Sequence, residues 1–89
     1  MQLPRSERVI LSLLVDLGPC YGLQLVTASR NRVKRGGVYV TLGRMEDKGL
    51  VTSAPGDRGR RRYRPTALGE RALLAARVFA GHVKLGEGV

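Results

Sequence analysis

Residues 36–66 read GGVYVTLGRMEDKGLVTSAPGDRGRRRYRPT, and three kinds of local structure follow one another inside that stretch. From Gly36 to Lys48 the apolar residues return at helical intervals. Val38, Leu42 and Met45 fall on one side, Val40, Gly43, Arg44 and Asp47 on the other, and Gly49 is a glycine suited to cap the end. Leu50 to Ala54 and Arg60 to Arg64 read as two short strands, joined through the turn-rich Pro55-Gly56-Asp57-Arg58-Gly59. Thr66 then stands where a side-chain oxygen caps a further helix, predicted to run to Ala80 and to stop at Gly81.

Upstream, the spacing predicts a helix over Pro4 to Leu17, with Ser6 accepting bonds from its first turn and Val9, Ile10, Leu13, Leu14 and Leu17 facing a core. Gly18-Pro19 ends it. A short second helix over Gly22 to Ser29 offers Leu25 and Val26. Helix, helix, helix, hairpin, helix is the order of a winged helix-turn-helix, an α+β and mostly helical fold whose third helix enters the major groove of DNA. Residues 1–80 are expected to form that single domain, with a dimerisation helix over 66–80, and 81–89 a loose tail.

Two apolar stripes do not fit one face each. Leu11 and Val15 lie outside the main arc of the first helix. In the last helix Leu68, Ala72, Ala75 and Phe79 form one stripe, and Leu73, Ala76 and Ala80 a second. A domain this small covers one stripe per helix, so Leu11, Val15, Leu73, Ala76 and Ala80 are expected to meet a second copy of the chain.

The charge is concentrated. The 89 residues carry 16 Lys+Arg against 7 Asp+Glu, a formal +9. Residues 30–64 hold eleven of the basic residues and three of the acidic ones, a net +8, whereas 1–29 are neutral and 65–89 carry +1. With 13 Arg and only 3 Lys, part of the excess could reflect a GC-rich genome, but codon bias would have spread it evenly. A localised anion-binding face is the better reading.

Within that face, Gly37, Val40 and Gly43 leave room for the helix backbone to approach DNA. Tyr39, Thr41 and Arg44 reach phosphates or base edges, Arg44 with the geometry to pair bidentately with guanine, and Lys34 and Arg35 add charge ahead of the helix. A mid-helix glycine such as Gly43 costs about 1 kcal/mol, which points to close approach, either to DNA or to another helix of the protein. In the hairpin Arg58, Arg60, Arg61, Arg62 and Arg64 fall within seven residues beside one acid, Asp57. Their planar forks suit phosphate oxygens, and Tyr63 lies among them. RNA is an alternative partner, with Tyr39 and Tyr63 as the available stacking aromatics, in a basic or ribosome-associated winged helix.

Enzyme readings lack parts. No Gly-Lys-Ser/Thr closes a phosphate loop at Gly36-Gly37, and Glu46-Asp47 point about 100° apart on their helix. The single Cys20 and single His82 exclude an internal disulfide and a Cys-based zinc cage. Cys20 reads as a packing residue, His82 as solvated. No cofactor is expected, and with no long apolar run the chain reads as cytoplasmic.

Three motifs resemble the PadR family of winged-helix transcription regulators, in the right order and spacing. They are Leu17-Gly18-Pro19-Cys20-Tyr21-Gly22-Leu23-Gln24-Leu25, the run from Gly37 to Val51, and Arg60 to Thr66, where basic residues lead into Tyr63, Pro65 and Thr66. The likeness covers about residues 9–75. It implies a twofold dimer paired through the terminal helices, which would place two recognition helices on a palindromic duplex and act as a repressor. Lys34-Arg35-Gly36-Gly37 stands where the family commonly has Ser-Pro-Gly-Thr, so the recognition helix is expected to start without a side-chain cap.

Overall fold

In the structure, a computed structural model, the backbone of residues 3–88 and the side chains of residues 3–78 are described. The elements are α1 (Arg5–Leu17), β1 (Cys20–Tyr21), α2 (Gly22–Ala28), α3 (Val38–Asp47), β2 (Val51–Pro55), a 3-10 turn (Asp57–Gly59), β3 (Arg61–Pro65) and α4 (Ala67–Gly88). This is an α+β winged helix-turn-helix, with a three-stranded antiparallel sheet in the order β1-β3-β2. β3 is central, and Tyr63 lies opposite Ser53 on one side and Cys20 on the other. The two-residue β1 has no signal of its own in the sequence, because only its pairing with β3 makes it a strand.

Local chemistry accounts for the boundaries. α3 ends in a Schellman motif, in which Gly49 N–H donates to the Glu46 carbonyl at 2.9 Å and Leu50 N–H to the Met45 carbonyl at 2.8 Å. Thr66 Oγ1 accepts the Gly69 N–H at 3.0 Å and donates to the Gly49 carbonyl at 2.6 Å, so one hydroxyl both caps α4 and ties it to the end of α3. Ser29 Oγ accepts the Val33 N–H at 3.0 Å and donates to the Val26 carbonyl at 3.0 Å, closing the turn that delivers the chain to α3. At α1 the sequence reading fails: Pro4 is the N-cap, no side chain caps the helix, and Ser6 lies inside it.

Ile10, Leu11, Leu14, Leu25, Val38, Leu42, Met45 and Leu50 are fully buried and form the centre of the core. Leu11 is 0% exposed and Leu73 only 2%, so neither belongs to an interface with a second copy. The inner face of α1 is Glu7, Ile10, Leu11 and Leu14, about one residue out of phase with the predicted arc, and Leu17 is exposed. The phase of α4 is set by Gly69. A Cβ there would overlap the Leu50 carbonyl oxygen and lie 3.1 Å from Leu11 Cδ2. Only glycine lets α4 come that close, and the contact rotates Ala72 and Leu73 inward while Leu68, Leu74 and Val78 turn outward.

α4 also continues through Gly81 to Gly88, where the helix was expected to stop at Gly81 and a loose tail to follow; Val89 lies outside the described residues. A single interior glycine costs a helix about 1 kcal/mol, too little to end it without a turn geometry to replace it. Glu7, 3% exposed, binds Lys48 Nζ at 2.8 Å and braces the start of α1 against the end of α3.

Candidate nucleic-acid interface

Burial of Val38, Leu42 and Met45 fixes α3 from behind and leaves a continuous outer face. Tyr39, Val40 and Arg44 on that face are exposed, and Thr41 is half-buried beside them. Gly37 is the N-cap with no side-chain cap, and the first turn is closed by backbone alone, the Lys34 carbonyl accepting the N–H groups of both Gly37 and Val38. The side chains of Lys34 and Arg35, which carry no acceptor and take no part in that turn, are both exposed. A Cβ on Gly43 would meet nothing within 4 Å, so a tight crossing inside the chain is not the reason for that glycine. The open space lies in front of the exposed face.

The wing carries Arg58, Arg60, Arg61, Arg62 and Arg64, all exposed. Among the described residues the only ion pair is Lys48 with Glu7, so none of these arginines is neutralised by a carboxylate in direct contact. Arg61 differs from the others. Its Nε donates to Ser53 Oγ at 2.8 Å and its Nη2 to the Ser53 carbonyl at 3.3 Å, while Ser53 Oγ donates to Glu46 Oε2 at 2.9 Å. That chain of bonds fastens the wing to α3, which leaves Arg61 fewer donors for a ligand.

Tyr63, assigned to DNA from the sequence, is 6% exposed and part of the core. Strand parity explains the error: with β1 on one side and β2 on the other, residue 63 faces inward, whereas Arg62 and Arg64 face out. Burial pushes its phenol above the ordinary range and does the same to the Cys20 thiol, whose Sγ donates to the Gly18 carbonyl at 3.3 Å. Cys20 is thus a packing residue. Tyr63 is also lost as a stacking platform for RNA.

Two features were missed in the sequence. Tyr21 lies under the wing, its ring facing the guanidinium groups of Arg60 and Arg62 at 4.5 and 5.1 Å from the centroid. Its hydroxyl accepts the Asp57 N–H at 3.0 Å and an Arg62 Nη2–H at 3.2 Å, which together lower the phenol from its ordinary value. The second feature is a basic groove beside Lys34, two adjoining hollows of about 480 and 380 Å³ between α1 and the α2–α3 turn that include Arg5, Arg8, Arg30 and Arg32. Charge counting hid it, because Glu7 offsets Arg5 or Arg8 on paper but points inward to Lys48.

Of the residues expected at a dimer contact, Val15 is exposed, Ala76 is half-buried, and the side chain of Ala80 lies outside the described residues. Among the described side chains of α4, Leu74 and Val78, each 61% exposed, form an apolar row next to a shallow hollow of about 400 Å³ that Val15 also lines. Among the described residues no group of His, Cys, Asp and Glu is placed to hold a metal, and no helix is long and apolar enough to cross a membrane.

Residues 10–75 match the transcriptional regulator PadR-like family. Among solved structures, a PadR family transcription regulator from hypervirulent Clostridium difficile R20291 superposes with a TM-score of 0.81 at 27% identity, over 96% of each chain. BpsR of Bordetella bronchiseptica, whose DNA binding is regulated by 6-hydroxynicotinic acid, gives 0.73 at 25% identity over 94% of this chain and 64% of its own. A probable transcriptional regulator from Pseudomonas aeruginosa gives 0.79 at 21%, over 92% of this chain and 62% of its own, a likeness of fold alone. This chain thus spans under two thirds of the length of the latter two. No curated protein matches.

Proposed function

The chain belongs to the PadR-like family of transcriptional regulators, and on that premise we propose that it represses transcription as a twofold dimer on a palindromic duplex. Members of this family are DNA-binding regulators and not enzymes. In the proposed complex α3 lies in the major groove, Arg44 reads a guanine edge, and Val40 packs against a base methyl group. Lys34, Arg35, Arg58, Arg60 and Arg62 hold phosphates on either side of the groove, and Arg30 and Arg32 extend that cationic surface. The observation that carries this reading is the un-neutralised charge of the wing beside an exposed helix face whose opposite side is anchored in the core.

Selection of bound duplexes from a randomised pool tests it. The expected result is an enriched inverted repeat with half-sites one or two helical turns apart. The same selection with Arg44→Ala is expected to lose preference at one base pair per half-site, worth about 1–3 kcal/mol, with the other positions intact. A pool that stays random, or structured RNA that outcompetes every duplex, defeats the proposal.

The dimer is proposed to form through Leu74, Val78 and Val15. Leu74→Glu is expected to halve the mass in light scattering while leaving the helical circular dichroism unchanged, because Leu74 contributes nothing to the core. Leu73→Glu would unfold the domain instead, so the two neighbouring substitutions separate assembly from folding. An unchanged mass for Leu74→Glu would place the contact elsewhere.

A further inference from the structure

We propose that Tyr21 is a positioning residue for the wing, holding the guanidinium groups of Arg60 and Arg62 where a phosphate backbone will pass, at a fixed distance from α3. The inference rests on the DNA-binding reading above and adds to it a residue outside both the recognition helix and the hairpin.

The geometry begins with a single aromatic ring that two cations share. Arg60 and Arg62 lie 4.5 and 5.1 Å from the ring centroid, and like charges gathered at one ring repel unless the ring's negative face offsets the repulsion. A contact with a ring face takes up none of a guanidinium's five N–H donors. Arg62 gives one Nη2–H to the Tyr21 hydroxyl at 3.2 Å and keeps its other donors for a ligand. The hydroxyl also accepts the Asp57 N–H at 3.0 Å, and the ring sits so close to Gly56 that an added Cβ would lie 2.6 Å from Tyr21 Cε1. Ring and hydroxyl therefore hold the hairpin tip as well as its arginines.

The other end of the device is α3. Tyr21 N–H donates to Gln24 Oε1 at 2.7 Å at the start of α2, and the next residue, Gly22, lies under the Tyr39 ring of α3, where an added Cβ would be 2.6 Å from Tyr39 Cε1. The Tyr21-Gly22 pair thus touches the wing on one side and the recognition helix on the other. Arginine side chains are rich in rotamers, and ordering them before DNA arrives removes part of what binding would otherwise spend on ordering.

Tyr21→Phe and Tyr21→Leu, each alone and in an Arg60→Ala/Arg62→Ala background, test this. Two quantities are measured: duplex affinity at one salt concentration, and nitrogen relaxation of the arginine Nε–H groups in the free protein. In the wild type both Arg60 and Arg62 are expected to be ordered. Tyr21→Leu is expected to free both and to weaken duplex binding on the order of tenfold. Tyr21→Phe keeps the ring, so it should free Arg62 more than Arg60 and rescue most of the affinity. In the double-arginine background the Tyr21→Leu effect should vanish. An equal loss of affinity with and without the two arginines, or arginine order unchanged by Tyr21→Leu, overturns the proposal. If Tyr21→Leu does not fold, Tyr21→Phe decides through the order of Arg62. Failure of the wild type to bind any duplex would defeat the DNA reading, while arginine order in the free protein would still decide the positioning role.

Discussion

Gly69→Ala is expected to destabilise the domain by about 3 kcal/mol and to lower its melting temperature by roughly 10–25 °C, the upper end of what one added methyl does in a packed interior. The new Cβ would overlap the Leu50 carbonyl oxygen and lie 3.0 Å from the Leu50 carbonyl carbon. Relief by sliding α4 outward is blocked. The Leu50 carbonyl accepts the Thr66 N–H at 3.0 Å, and Thr66 Oγ1 holds the Gly49 carbonyl at 2.6 Å, so the helix start is bonded to the backbone it would have to leave. Moving it would also open a gap beside Leu11 and Leu73. Alanine's better helix propensity returns about 1 kcal/mol at most, which does not reverse the sign. Gly43→Ala is the control: its Cβ meets nothing, and it should raise stability by up to about 1 kcal/mol. Urea or thermal unfolding of the pair measures both. A Gly69→Ala protein that melts at or above wild type would mean that α4 docks differently.

The same glycine shows where sequence reading stopped. Periodicity located all four helices and the hairpin, and it identified the buried Val38, Leu42 and Met45, because each of those signals lies within one turn of chain. It did not give the rotation of α1 or α4. With apolar residues on two faces of each, the choice belongs to a contact between elements distant in sequence, and the backbone approach at Gly69 makes that choice. A glycine inside a helical pattern was the available clue. The pattern alone does not separate Gly43, whose surroundings are open, from Gly69, whose surroundings are closed. Tyr63 failed for a related reason: strand parity separates two faces but does not name the inner one until β1 is known to pair with β3. The α3 face and most wing arginines were legible because charged residues have few places to go in so small a domain. The bonds of Arg61 to Ser53 and of Glu7 to Lys48 join residues apart in the sequence, so charge counting does not reveal them.

Raising salt from roughly 50 to 200 mM is expected to weaken duplex binding about 10⁴- to 10⁵-fold, the largest effect foreseen for this protein. The number follows from counting the cations proposed to hold phosphates. Lys34, Arg35, Arg58, Arg60 and Arg62 are exposed and have no carboxylate in contact, which supplies about four or five phosphate contacts per subunit and twice that per dimer. Each releases close to one counterion, so the affinity falls roughly as the seventh to ninth power of salt. Arg61 is left out of the count because Ser53 already takes its Nε–H and one Nη2–H. Arg58→Ala should therefore reduce the slope by about 1 per subunit, and Arg61→Ala by less, while loosening the wing from α3. Specific and random duplexes should lose affinity nearly in parallel, since phosphates carry no sequence, and the preference set by Arg44 should survive the titration. Fluorescence anisotropy across five salt concentrations measures the slope. A slope shallower than about 4 would show that the wing does not track the backbone; equal slopes for Arg58→Ala and the wild type would remove that arginine from the contact.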